Sequence, residues 1–201
     1  MQQLVSTAKL LEHATDSHVD AGFIHLTSEL AGEEIDDRWW MALPRSKVPI
    51  EDEPDRLWAW YSLVFPFAGD IASECVGLQT ADGRIQGAII YSLDGRSALE
   101  PGEGVVWAHY LATAPWNRRW LAESPQYSGV GKALLFRAVC HSYLLGLWGR
   151  VLLHSVPLER TIAFYRRFGF AETGYQVENM PVFELPRQRA LDWMKQAGVL
   201  P

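Results

Sequence analysis

Cysteine is scarce in this 201-residue chain: Cys75 and Cys140 are the only two, too few for a disulfide framework, which fits a reducing compartment. Basic charge is short as well. Lys and Arg number 18 against 24 Asp and Glu, a formal charge of −6, so nothing global recommends nucleic acid or an anionic membrane as a partner. Long apolar runs are missing: the longest nearly uncharged stretch, Leu57 to Gly69, is too short to span a bilayer and is broken by Pro66. Met1 to His18 lacks the basic start, apolar centre and small-residue cleavage site of a secretory signal. No segment repeats and no low-complexity tract occurs, which excludes a solenoid or propeller. These absences lead to the expectation of a cytoplasmic protein with neither a membrane nor a nucleic acid as partner.

What the chain does have is a core. Apolar residues make up 48% of it, enough for one folded domain over residues 1–201. Nine tryptophans are a heavy load, and most read as core or helix-packing residues. Charge is divided unevenly: residues 1–100 hold 7 basic and 17 acidic side chains, a net −10, and residues 101–201 hold 11 and 7, a net +4. An anionic ligand is therefore to be sought in the C-terminal half.

Local patterns set out the elements. Thr27 to Met41 and Asp55 to Val64 read as helices, separated by a linker-like stretch, Pro44 to Asp55, with three prolines and the acidic run Glu51, Asp52, Glu53. Cys75 to Thr80, a turn at Ala81-Asp82-Gly83, and Ile85 to Leu93 form a β-hairpin by turn chemistry alone. Gly104 to Thr113 reads as a buried strand. Gly129 to Leu145 has Val130, Ala133, Leu134, Ala138 and Leu145 at helical spacing, with Gly146 placed to end it. A strand at Arg150 to Ser155, a helix at Leu158 to Phe168 stopped by Gly169, and extended segments at Phe170 to Tyr175 and Val182 to Leu185 follow. The alternation predicts an α/β or α+β sheet with helices on its faces, with a crossover between the strands flanking the helix at 129–145.

Chemistry concentrates in Gln126-Tyr127-Ser128-Gly129-Val130-Gly131-Lys132-Ala133, which follows a strand and opens a helix. Its glycines leave backbone N–H groups unobstructed at the positive end of a helix, where phosphate binds. A Walker loop requires Gly at Gln126 and Ser or Thr at Ala133; a dinucleotide fingerprint requires Gly at Leu134. Both patterns fail.

The remaining pattern, Gln-x-x-Gly-x-Gly, resembles the GNAT superfamily of acyl-CoA-dependent N-acetyltransferases, and the likeness extends over about residues 75 to 185. It implies a mixed central sheet, largely antiparallel with one parallel, splayed strand pair, flanked by helices. By the resemblance, Gln126, Gly129, Val130, Gly131, Lys132 and Ala133 wrap the pyrophosphate of acetyl-CoA, used as cosubstrate. Tyr110 to Pro115 is similar to the strand whose bulge pairs main-chain groups of Leu111, Ala112 and Thr113 with the pantetheine arm. Tyr165 to Phe170 is similar to the family's Tyr-x-x-x-Gly-Phe segment. Two departures stand out. Ten residues, Trp116 to Pro125, precede Gln126 where many members have two or three; such a loop could serve as a lid, with Arg118 and Arg119 reaching the 3′-phosphate or simply solvated. Leu158 stands where the family often has an Asn that contacts the cofactor.

Acetyl transfer needs a neutral amine, a stabilised oxyanion and a proton for the thiolate. By the resemblance Tyr165 is the acid, although its spacing with Ile162 and Phe168 equally describes a core aromatic. His109 and His154 lie on the strands that splay apart in the resembling family, so either could relay the amine's proton; a strand histidine bonded to a neighbour is the other reading. Glu103 and Glu178 are further relays or plain loop charges. No metal constellation and no serine-nucleophile motif is visible, and the cysteines read as buried thiols. The expected function is direct acetyl transfer to a primary amine of a small molecule or peptide, without metal. Residues 1–100, of which 1–74 read as a helical acceptor-side part, would supply the acceptor wall; their acidity and tryptophans favour a polyamine, amino sugar or lysine side chain, and an acidic solvated face with core tryptophans is the equal alternative. A non-catalytic acyl-CoA sensor is the rival, and a homodimer is left open.

Overall fold

The computed structural model describes residues 4–43 and 46–201; of the expected linker, Pro44 and Arg45 lie outside the described residues. The strands are β1 (Thr7–Glu12), β2 (Ser17–His25), β3 (Ser73–Thr80), β4 (Ile85–Arg96), β5 (Gly104–Thr113), β6 (Tyr127–Ser128), β7 (Val151–His154), β8 (Ala171–Val177) and β9 (Met180–Leu185). The α-helices are α1 (Ser28–Ala31), α2 (Trp60–Val64), α3 (Val130–Leu144), α4 (Glu159–Arg167) and α5 (Arg187–Gln196). Hydrogen bonding orders the strands β6-β1-β2-β3-β4-β5-β7-β9-β8. β5 and β7 run parallel, Val106 opposite Val151 and Ala108 opposite Leu153, while β1–β2, β1–β6, β2–β3, β7–β9 and β8–β9 are antiparallel. The mixed, largely antiparallel sheet with one parallel pair and flanking helices is the expected class, and α3 is the crossover that a parallel pair requires.

Two compact units make up the chain. The first comprises Val5–Ile90 and Tyr110–Leu135. Its core gathers Leu26, Ile35, Trp39, Trp60, Val64, Cys75, Ile90 and Trp116, all buried. Trp39 meets Trp60 edge-on at 6.0 Å, and its indole N–H donates to the Ile85 carbonyl, so the tryptophans here are core residues with their polar atom satisfied. The second unit comprises Tyr91–His109 and Phe136–Pro201. In it α5 packs Trp193 against Phe136 of α3 and, stacked at 5.4 Å, against Phe168 after α4.

The N-terminal part is not purely helical, as the sequence pattern had led one to expect: residues 7–25 form the β1–β2 hairpin. Its strands bury only Leu10 and Ala21 and expose an ion pair, Lys9 with Asp20, so the alternation that announces a strand is too weak to see. The helix expected over Thr27 to Met41 begins with Thr27 capping the Leu30 N–H at 3.2 Å but widens to a π-helical stretch at Gly32–Asp36. The helix expected from Asp55 starts only at Trp60, where Asp36 accepts the N–H groups of Trp60 (2.7 Å) and Tyr61 (2.9 Å). Its cap comes from a distant residue, which local sequence cannot reveal. α5 also went unread.

Candidate functional site

Within the first unit, Gly129 has φ +95°, a left-handed conformation that favours glycine, and its carbonyl accepts the Ala133 N–H at 2.9 Å, closing the first turn of α3. The N–H groups of Val130, Gly131 and Lys132 precede that bond and have no intrahelical acceptor. Gln126 is clipped at both main-chain groups: its N–H donates to the Trp116 carbonyl (3.1 Å) and its carbonyl accepts the His13 N–H (2.9 Å). Lys132 is exposed, and Val130 and Gly131 are buried.

A glycine that the sequence reading passed over sets where this turn sits. A Cβ on Gly87 of β4 would lie 2.5 Å from Val130 Cγ1, 2.9 Å from Leu134 Cδ1 and 3.0 Å from the Ala112 carbonyl oxygen. The start of α3 therefore rides directly on β4, beside the Leu111–Thr113 segment of β5. The available signal was a glycine inside an apolar strand, a mark of close backbone approach.

The loop at 116–125 packs into the first unit through part of its length. Trp116, Leu121 and Ala122 are buried, and Arg118 is only 5% exposed. The Arg118 guanidinium bonds Asp55 through both terminal nitrogens, bonds Glu53 Oε2 at 3.1 Å, and donates from Nε (2.9 Å) and Nη2 (2.6 Å) to the Thr113 carbonyl. Trp120 adds an indole N–H to Glu53 Oε1 at 2.9 Å. Arg118 is thereby removed as a ligand for a 3′-phosphate, because its donors are spent on buried carboxylates and on the end of β5. Arg119 is exposed, and its Nη2 reaches Ser128 Oγ at 3.4 Å.

In the second unit, His109 and His154 are brought around one indole. Trp107 stacks on His109 at 4.9 Å and meets His154 edge-on at 6.5 Å. His109 Nε2 shares a 2.9 Å hydrogen bond with Ser92 Oγ. His154 Nδ1 and Trp107 Nε1 are buried without a hydrogen-bond partner among the described residues. Burial holds both imidazoles below their ordinary pKa, with the charge of His154 adding to the effect on His109; Asp94 opposes it at His109 and Glu178 at His154. Both rings are therefore neutral at pH 7. β5 continues from Ala108, its last residue paired with β7, to Thr113, so His109 and His154 stand where that parallel ladder stops.

Tyr165 of α4 is 7% exposed and sits among Phe164, Phe170 and Phe183 at ring separations of 5.3, 5.7 and 6.0 Å. Burial pushes its phenol well above the usual tyrosine range. Glu103 holds Arg150 Nη2 at 2.6 Å and so is a structural partner, not a free relay. Cys75 and Cys140 are buried free thiols, each pushed up to about 11 by desolvation. Among the described residues no cluster of His, Cys, Asp and Glu is arranged to hold a metal ion, and no helix is long and apolar enough to cross a membrane.

No protein-family model and no curated protein matches the chain. Solved structures do. The PaiA N-acetyltransferase of Thermoplasma acidophilum, in complex with coenzyme A, superposes with a TM-score of 0.54 at 15% identity over 83% of this chain and 98% of its own. A GNAT-family acetyltransferase of Staphylococcus aureus gives 0.52 at 14% identity over 83% and 99%. Naa20 of Chaetomium thermophilum, in complex with a bisubstrate analogue, gives 0.53 at 13% identity over 85% and 88%. The fold of this chain is the GNAT acetyltransferase fold.

Proposed function

We propose that the protein is an acyl-CoA-dependent N-acetyltransferase that moves acetyl from acetyl-CoA directly to a primary amine. The observation that carries the reading is the start of α3, where the left-handed Gly129 opens a fifteen-residue helix at three N–H groups without intrahelical acceptors, beside Leu111–Thr113. The neighbour holding coenzyme A supports the same cosubstrate here. Gln126, Gly129, Val130, Gly131, Lys132 and Ala133 would take the pyrophosphate, and main-chain groups of Leu111 and Ala112 the pantetheine. The Thr113 carbonyl already serves Arg118 and contributes mainly by being held.

In the reaction, the amine nitrogen attacks the thioester carbon, the tetrahedral intermediate expels the thiolate, and one proton leaves the ammonium as another reaches sulfur. Neutral His154 or His109 can accept the first proton, and their depressed pKa suits a base that must be free at pH 7. Tyr165 keeps its proton at neutral pH, and its raised pKa makes it a hydrogen-bond donor to the departing sulfur more than a strong acid. Its seat among three phenylalanines is the observation that favours the rival reading, an acyl-CoA sensor without turnover.

An amine-library screen for CoA release separates the two. Wild type should release thiol with at least one amine class, and Gly129→Asp, which sets an anion against the pyrophosphate, should lose coenzyme A binding in calorimetry. Tyr165→Phe should lower kcat by about 10²-fold, the low end for a proton donor, with cosubstrate affinity and melting temperature retained. Coenzyme A bound at wild-type affinity by Gly129→Asp would sink the assignment.

A further inference from the structure

Trp40 has two arginines at its ring, and their circumstances differ. Arg118 Cζ lies 5.2 Å from the ring centroid and Arg56 Cζ 5.7 Å. The charge of Arg118 is met by Glu53 and Asp55. Arg56 is close in sequence to those same acids, yet their carboxylates bond Arg118. Among the described residues no carboxylate pairs with Arg56, and its Nε is buried without a hydrogen-bond partner.

Arg56 lines a cleft of about 410 Å³ in the first unit, walled by Trp40 and Trp58. At the rim stand Met41 and Leu57, 85% and 88% exposed. Among the described residues the one carboxylate lining the cleft, Asp36, is committed to the N–H groups of Trp60 and Tyr61. Among the described residues the lining of the cleft thus offers one cation, Arg56, over indole walls, despite the acidity of the surrounding sequence. Trp58 also touches Tyr110 edge-on at 5.3 Å, and Tyr110 directly precedes Leu111–Thr113.

We propose that this cleft binds the carboxylate end of a small molecule with a flat, apolar body. Arg56 supplies the charge-assisted donors and the indoles cover the body. The identity of that molecule as the amine acceptor rests on the acyl-transfer reading; the binding itself does not. The acceptor class then becomes an amine carrying a distal carboxylate, in place of the polyamine or amino sugar that net charge alone favours.

The binding test is calorimetry without acetyl-CoA, using 3-phenylpropionate and its neutral isostere 3-phenylpropanamide. Wild type should hold the carboxylate at least about tenfold tighter, the size of one charge-assisted contact. In Arg56→Gln the preference should fall to within about twofold with amide affinity kept. Equal affinities in wild type, a comparison that needs no variant, overturn the proposal, as does a preference that persists in Arg56→Gln. A turnover arm compares 3-[4-(aminomethyl)phenyl]propionate with 4-methylbenzylamine. A lower KM for the first, lost in Arg56→Gln, supports the acceptor assignment, whereas equal KM values overturn it and leave acyl transfer standing. Carboxylate binding with no turnover of any amine upholds the cleft and removes the acyl-transfer reading.

Discussion

Replacing Gly87 with alanine adds one carbon at the point where β4, β5 and the start of α3 meet. That carbon would fall 2.5 Å from Val130 Cγ1, 2.9 Å from Leu134 Cδ1 and 3.0 Å from the Ala112 carbonyl oxygen. Carbon atoms rest comfortably at about 3.5–4.0 Å, so the neighbours must retreat by about 1 Å. None retreats easily. Val130 and Leu134 are 3% and 0% exposed, a β-branched side chain on a helix has a single favoured rotamer, and the third neighbour is backbone. The start of α3 must therefore lift from β4. Overpacking of this kind costs about 1–3 kcal/mol, and for a chain of this length each kcal/mol lowers Tm by about 2–4 °C. The N–H groups proposed to hold pyrophosphate move with the helix, so coenzyme A affinity should fall about tenfold or more.

Calorimetric melting and coenzyme A titration of Gly87→Ala measure both effects. Gly22→Ala is the control: the site lies on β2, its added carbon meets nothing within 4 Å, and both readouts should stay at wild-type values. A Gly87→Ala protein with wild-type melting and wild-type affinity would refute the close-packing argument. Lowered melting with unchanged affinity would refute a different step, the placement of the pyrophosphate at the start of α3.

Arg118→Ala leaves Glu53 and Asp55 buried without their cation, and should cost about 3–5 kcal/mol in urea unfolding. Because Arg118 faces protein and not a 3′-phosphate, any loss of affinity should be equal for coenzyme A and dephospho-coenzyme A; a selective loss for coenzyme A would restore the phosphate role. Stability should also depend on pH through His109 and His154, whose folded pKa values lie below the ordinary 6.5. The unfolded chain takes protons that the native rings resist, so this stability is complete above about pH 6.5 and is lost as pH falls toward the folded values. Melting scans from pH 7.5 to 5 should show that loss, and His109→Gln with His154→Gln should flatten it; an unchanged slope in the double variant would place the titration elsewhere.

The stretch from Cys75 to Leu185 was largely legible because its signals are local. The turn Ala81-Asp82-Gly83, the glycine that opens α3, Gly169 at φ +86° after α4, and the buried spacing of Val130, Leu134 and Ala138 each act within a few residues, and the elements fall where they predict. The β1–β2 hairpin was not legible. A pair of half-exposed strands needs no alternating apolar pattern when β3 and β6 supply its partners. α2 was misplaced by five residues at its start because the carboxylate that caps it, Asp36, is 24 positions away.

The same distinction separates what could be read of the candidate site from what could not. The pyrophosphate pattern is a backbone requirement, and backbone requirements leave glycines in the sequence. The roles of charged residues are set by partners, and partners leave no local trace. Arg118 and Arg119 are adjacent and chemically identical, yet one is spent on Glu53 and Asp55, 65 and 63 positions away, while the other stays exposed. Arg56, three residues from Glu53 and one from Asp55, loses both acids to that distant competitor. The bidentate geometry available to Arg118 beside the Thr113 carbonyl outweighs proximity along the chain. An unmatched cation in an acidic segment is thus a product of the fold that net charge by itself does not reveal.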